Sequence, residues 1–227
     1  MIRAVVFDFD GVIANSEPLH FRAFGDVLAD EDVPLTESDY YSRYLGYDDQ
    51  GVFEAIAVDR AVVWSTRQIA DLVARKAARL LDLERGGSLL FPGAVSAVRR
   101  LAAACPLAIA SGARRPEIVR VLDGAGLAAH FTAIVSCEDT AAGKPAPDPY
   151  RRALELLSRA TGAPIAPGDS VAVEDSRWGI ESARAAGMLT VAVTHTYGAA
   201  DLPGADALVD HLDALTWDFL VALRRRD

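Results

Sequence analysis

Asp8 and Asp10, in Asp8-Phe9-Asp10-Gly11, follow directly on the apolar run Ile2-Arg3-Ala4-Val5-Val6-Phe7, so two carboxylates leave the carboxyl end of a short strand. One such carboxylate can attack an electrophile while the other moves a proton. With a divalent cation to neutralise charge, the pair suits phosphoryl transfer, where one anion must approach another. An isolated Asp-x-Asp is most simply a turn capped by two acids, but three later apolar runs also end in reactive groups. Pro106 to Ala110 ends in Ser111-Gly112, Thr132 to Val135 leads toward Gly143-Lys144-Pro145, and Ser170 to Val173 ends in Glu174-Asp175. In a parallel sheet these ends share one edge, where open α/β sheets bind their ligands.

Each group then has a chemical task. Asp8 is the candidate nucleophile, able to accept a phosphoryl group and later release it to water. Asp10 is the candidate acid and base for the leaving oxygen and the attacking water. Asp8, the Asp10 carbonyl and Asp175 offer the hard oxygen donors that Mg²⁺ prefers, with Glu174 either ligating or standing behind them. Ser111 offers a hydroxyl and Gly112-Ala113 backbone N–H groups near a helix start at Pro116, which together make an anion cradle. Lys144, one of only two lysines in the chain, adds a compact charge for both the phosphate and Asp8.

The ordered set from Asp8 to Asp175 resembles the four motifs of the haloacid dehalogenase superfamily, in its β-phosphoglucomutase-like and phosphoglycolate-phosphatase-like branch. That resemblance implies a Rossmann-like doubly wound parallel sheet (1–15 and 91–227) with an inserted helical cap (16–90). It also implies a Mg²⁺-dependent phosphatase acting on a small phosphorylated metabolite, a sugar phosphate or a phosphoglycolate-like acid, through an aspartyl-phosphate. Glu17-Pro18-Leu19-His20 matches the segment that often follows the first motif in this branch and borders the substrate; His20 is either an active-site wall or a hydrogen-bonded hinge residue. Asn15 stands where the branch commonly has Asp, which keeps hydrogen-bonding capacity and drops a charge. Arg43-Tyr44-Leu45-Gly46-Tyr47-Asp48-Asp49-Gln50 matches the cap loop that sets specificity, with Arg43, Gly46 and Tyr47 as candidate contacts.

A phosphomutase is the alternative within the family. Mutases of this branch hold a second phosphate with basic cap residues, and Arg43 is the single cation in this loop, so the phosphatase is the first choice. The dehalogenase members lack the second motif aspartate, so Asp10 speaks against them. A receiver-like or catalytically silent phosphate-binding module is the alternative from another class, and its acidic pair and acceptor would lie on different strands.

The elements that must position these groups are visible in the periodicity. From Ser16 to Leu90 the pattern is helical: Leu19, Ala23, Phe24 and Val27 share one face, as do Ile69, Leu72, Val73, Lys76 and Leu80, with the lysine head expected to reach solvent. Arg85-Gly86-Gly87-Ser88 and Phe91-Pro92-Gly93 read as a return linker and a turn. Beyond them, Val95 to Ala104, Pro116 to Ala125, Pro149 to Ala160 and Arg177 to Ala186 read as crossover helices, with Asp148 capping the third.

Composition fits this plan. The chain has 227 residues, 51% of them hydrophobic, and a net charge of −9, which argues against a nucleic-acid surface. Arg224-Arg225-Arg226 reads as a solvated helix end. No run has the length of a membrane span and Met1-Ile2-Arg3 enters the first strand without a signal-peptide pattern, so a cytoplasmic protein, monomeric or weakly dimeric, is expected. Cys105 and Cys137 are too few for a disulfide framework or zinc site and read as buried thiols, His130, His195 and His211 lack metal-ligand spacing, and Trp64, Trp178 and Trp217 read as packing residues.

Overall fold

Strand β1 (Ala4–Phe7) is Ala-Val-Val-Phe, and all four side chains are buried, as a strand covered on both faces requires. The chain then runs through α1 (Glu17–Ala29), the single turn α2 (Glu37–Asp39), α3 (Asp49–Asp59), α4 (Thr66–Glu84) and α5 (Ala94–Ala102) to β2 (Leu107–Ala110). Strands and helices follow as α6 (Arg115–Gly124), β3 (Phe131–Val135), α7 (Asp148–Thr161), β4 (Ser170–Glu174), α8 (Arg177–Ala185), β5 (Leu189–Val193), β6 (Ala207–Val209) and α9 (Trp217–Leu223). This computed structural model describes residues 1–84 and 89–224; Arg85-Gly86-Gly87-Ser88 and Arg225-Arg226, read above as linker and helix end, lie outside the described residues.

The six strands are parallel in the order β3-β2-β1-β4-β5-β6. The fold is therefore the Rossmann-like doubly wound α/β architecture that the sequence predicts. Alternation along β1 sends Val5 and Phe7 to a core shared with α5, α6 and α9, and Ala4 and Val6 to one shared with α7 and α8. Phe7 lies opposite Ile109 of β2 and Val173 of β4, so Asp8, Ser111 and Glu174 emerge along one edge on adjacent strands. The order reverses at β1, which is where sheets of this kind open a crevice.

Contacts divide the chain into one unit of Met1–Asn15 with Leu90–Asp227 and a second of Ser16–Leu89. Leu90, which the sequence reading places in the insert, bridges Ala14 of the first unit, and the Phe91 N–H donates to the Ile13 carbonyl at 3.1 Å. The second unit is helical and holds its own core of Phe24, Val27, Leu28, Tyr44, Phe53 and Ile56 with their neighbours. Trp64 packs there against Phe53, and Trp217 packs against the core of the first unit.

Several expectations need correction. Lys76 does not reach solvent: it lies between Leu72 and Leu80 on the buried face of α4, one turn from each, and is fully buried. Asp148 is not a cap, because α7 begins at Asp148 itself with Pro147 in the capping position, so its carboxylate serves the helix dipole in the first turn. Cys105 is buried but Cys137 is only partly so. Arg224, at the end of α9, is exposed as expected and also pairs with Asp169 at 3.1 Å. Among the described residues no helix is long and apolar enough to cross a membrane.

Candidate active site

Because Asp8, Glu174 and Asp175 follow the ends of adjacent central strands, three carboxylates meet at one point: each presents an oxygen within 4.8 Å of the others, and all three residues are buried. Lys144 sits among them, its Nζ 2.6 Å from Glu174 Oε1 and 2.9 Å from Asp8 Oδ2. Burial pushes the Asp8 carboxyl up, the Glu174 charge pushes it further and Lys144 pulls it back, which leaves it at about 8. Asp10 is close enough to add to that rise. Burial works against the Lys144 ammonium, yet Asp8 and Glu174 outweigh it and hold it above the ordinary lysine range.

Three buried carboxyl groups stand beside a single ammonium, and all of the donors are hard oxygens. That donor set fits a divalent cation of the Mg²⁺ or Ca²⁺ type. Both oxygens of Glu174 have partners: Oε1 accepts from Lys144 and, at 2.5 Å, from the Tyr150 hydroxyl, while Oε2 accepts from the Asp175 N–H and the Ser176 hydroxyl, each at 3.2 Å. Its carboxylate is thus committed to holding Lys144 and the start of α8.

Two glycines make this packing possible. A Cβ on Gly11 would lie 1.8 Å from Asp175 Oδ2, and one on Gly179 would lie 1.9 Å from the Glu174 carboxylate. Gly11 also has φ +77°, which disfavours any side chain. The side chains of the two acids occupy the places that those Cβ atoms would fill.

Ser111 is buried, its N–H donates to the Val135 carbonyl at 3.0 Å, and its Oγ accepts from the Ala113 N–H at 3.0 Å. The Ala113 donor that the sequence reading assigns to an anion is thus engaged by Ser111, whereas the space beside Gly112 is open.

The cap candidates fall in the helical unit. Glu17 accepts from the Tyr40 hydroxyl at 2.9 Å. His20 is partly buried and its Nδ1 lies 2.8 Å from Lys76 Nζ, so the imidazole accepts from an ammonium that can only donate. Burial, reinforced by the Lys76 charge, holds His20 well below the usual histidine range, which keeps it neutral. Arg43 pairs with Asp59 at 2.5 Å and approaches Asp39 at 3.9 Å, while Gly46 and Tyr47 are exposed. Asp48 caps α3 by accepting from the Gly51 N–H at 2.7 Å, and Asp49 pairs with Lys76 at 2.6 Å.

Tyr150, Thr196 and Gly179 were not read from the sequence as site residues. Tyr150 lies in an ordinary apolar face of α7 and Thr196 beyond a strand that was not singled out. A glycine whose role is to leave room for a distant carboxylate carries no local signal.

A model of the family described as "Hydrolase: haloacid dehalogenase-like hydrolase" matches residues 2–187. The CbbY protein (plasmid) of Cupriavidus necator is 30% identical over 93% of this chain and 86% of its own. Phosphoglycolate phosphatase of Escherichia coli K12 is 26% identical over 94% of this chain and 91% of its own. The crystal structure of a Rhodobacter sphaeroides CbbY mutant in complex with xylulose-(1,5)bisphosphate superimposes with a TM-score of 0.81 at 26% identity, covering 93% of this chain and 95% of that one.

Proposed function

The chain belongs to the haloacid dehalogenase-like hydrolase family, and from that premise we propose that it is a Mg²⁺-dependent phosphatase that hydrolyses a small phosphorylated metabolite, a sugar phosphate or a phosphoglycolate-like acid, through an aspartyl-phosphate on Asp8. The observation that carries the reading is the buried contact of Lys144 with both Asp8 and Glu174. It places a fixed positive charge beside a carboxylate that must meet an anionic phosphoryl group.

In the first step an Asp8 oxygen bonds to phosphorus as the ester P–O bond breaks, and Asp10 delivers its proton to the departing oxygen. In the second, Asp10 takes a proton from water, the water oxygen bonds to phosphorus, and the Asp8–phosphorus linkage breaks to release inorganic phosphate. Lys144 and the Ser111 hydroxyl hold the phosphoryl oxygens through both steps. Glu174, oriented by Tyr150 and by the α8 N-terminal residues, fixes Lys144. Asp8, the Asp10 carbonyl and Asp175 are the residues that would hold the cation, which neutralises phosphate charge when bound.

Hydrolysis rather than isomerisation is supported by the pairing of the cap-loop arginine and of the buried lysine of the helical unit. Arg43, the single cation of the loop, is occupied by Asp59, and Lys76 by Asp49.

The test is Asp8→Asn in the full chain, assayed with hexose 1-phosphates and with 2-phosphoglycolate for inorganic phosphate and for isomerised sugar. The wild-type protein should release phosphate from at least one of them without a bisphosphorylated activator, and the variant should lose nearly all turnover with its circular dichroism unchanged. Turnover by the variant at the wild-type rate would sink the mechanism. Hexose 6-phosphate accumulating faster than phosphate would make the protein a mutase.

A further inference from the structure

The segment after β5 reaches back to the acidic cluster with two consecutive side chains. Thr196 Oγ1 donates a short hydrogen bond to Asp175 Oδ2. His195 Nδ1 lies 3.1 Å from the Gly11 carbonyl, which can only accept, so the ring donates there. The imidazole is itself stacked on Phe91, centroids 4.0 Å apart and planes 21° from parallel. The residue before them is anchored as well: the Thr194 N–H donates to the Val209 carbonyl at 3.0 Å and its hydroxyl to Asp210 at 3.1 Å.

The Asp175 carboxylate therefore lies between two fixed walls. One is the Gly11 backbone, against which Oδ2 fills the space of the missing Cβ. The other is the Thr196 hydroxyl, which sets the carboxylate plane through that same oxygen. A rotation of the Asp175 side chain breaks the second contact or drives the carboxylate into the first.

We propose that Thr196 is a positioning residue that locks the Asp175 carboxylate in the orientation a small divalent cation requires, and that this lock favours Mg²⁺ over Ca²⁺. The inference rests on the metal-dependent reading above. Mg²⁺ demands near-ideal octahedral geometry at about 2.0–2.1 Å, whereas Ca²⁺ takes six to eight oxygens at roughly 2.3–2.6 Å in looser arrangements. A carboxylate held less firmly thus penalises the smaller ion more. Loss of a hydrogen bond to a ligating group typically weakens metal binding about 10–100-fold.

The experiment uses the metal-free full chain with Thr196→Val, which keeps the shape and removes the donor, and Thr196→Ser, which restores the donor. Each is titrated with MgCl₂ or CaCl₂ alone while the melting temperature is followed, and the KM for Mg²⁺ and kcat are measured separately on an aryl phosphate. Thr196→Val should raise the apparent Kd for Mg²⁺ about 10-fold or more, raise that for Ca²⁺ distinctly less, and change the KM for Mg²⁺ more than kcat. Thr196→Ser should lie near wild type on every measure. If the wild-type protein shows no Mg²⁺-dependent rise in melting temperature, the metal-dependent reading falls and this inference with it. If the wild type responds and Thr196→Val responds at the same concentrations, or loses Mg²⁺ and Ca²⁺ affinity equally, the role assigned to Thr196 alone is overturned.

Discussion

Replacing Lys144 with Met tests the electrostatic logic of the cluster, because it removes a charge while nearly preserving volume. At an effective dielectric near 20, the 2.6 Å contact with Glu174 and the 2.9 Å contact with Asp8 are each worth about 6 kcal/mol of direct attraction. The loss of stability will be smaller, since the carboxylates left behind take up protons; breaking a buried pair usually costs about 3–5 kcal/mol. That cost carries a sign with pH. Asp8 is raised from 3.8 to about 8 in the folded wild type, and losing Lys144 removes a lowering influence and moves it higher. The folded state then binds a proton that the unfolded chain releases, so stability falls as pH rises from about 4 toward 8 in both proteins, and in the variant the fall continues above 8. Lys144 itself, raised in the fold, keeps its charge throughout that window and contributes no slope. Urea unfolding in chelator at pH 7 and pH 9 should show the deficit of Lys144→Met widening with pH, and added metal should recover part of it. Phosphate release should fall about 10²–10³-fold or more, the usual effect of removing one preorganised electrostatic group. Parallel pH profiles together with activity within threefold of wild type would refute the reasoning.

Two further changes probe the packing that holds the groups in place. Gly179→Ala puts a methyl 1.9 Å from Glu174; the carboxylate must shift from Lys144, and aryl-phosphate turnover should fall at least tenfold while the circular dichroism spectrum persists, an outcome that unchanged kinetics would contradict. Lys76→Met leaves Asp49 without its ammonium, although Asp49 Oδ2 already lacks a hydrogen bond. Thermal unfolding should show a loss of about 3–5 kcal/mol, and a variant as stable as wild type would mean that the pair is not stabilising.

What could be read from the sequence was what is local. Val5, Phe7, Ile109 and Val173 declare buried strands because apolar and β-branched residues run together, and acids, serine and lysine just beyond them mark one sheet edge. The four crossover helices, α5 to α8, were legible to within two residues, since prolines such as Pro116 punctuate the pattern. The failures share one cause. Lys76 was placed in solvent because its type suggests exposure, while Leu72 and Leu80 on the same face of α4 fix its burial. Tyr150 is needed only because Glu174, 24 positions later, requires a donor. Thr196 matters only through Asp175, and β5 and β6 are short strands that periodicity alone did not single out. Partners distant in the chain leave no mark on their neighbours.

The Ala14–Leu90 bridge and the Phe91–Ile13 bond tie together the two points at which the helical segment leaves and rejoins the sheet-bearing unit. For the sheet, the insertion therefore behaves as a loop whose ends are already closed. The entropy of closing a loop grows only with the logarithm of its length, so segments of very different size can occupy that place at little difference in stability. Asp8, Ser111, Lys144, Glu174 and Asp175 all lie outside it. A lineage carrying this fold could thus rewrite the helical segment repeatedly while the reactive groups stay untouched, which makes the junction at residues 15 and 90 the natural seam for exchanging segments between proteins of this kind.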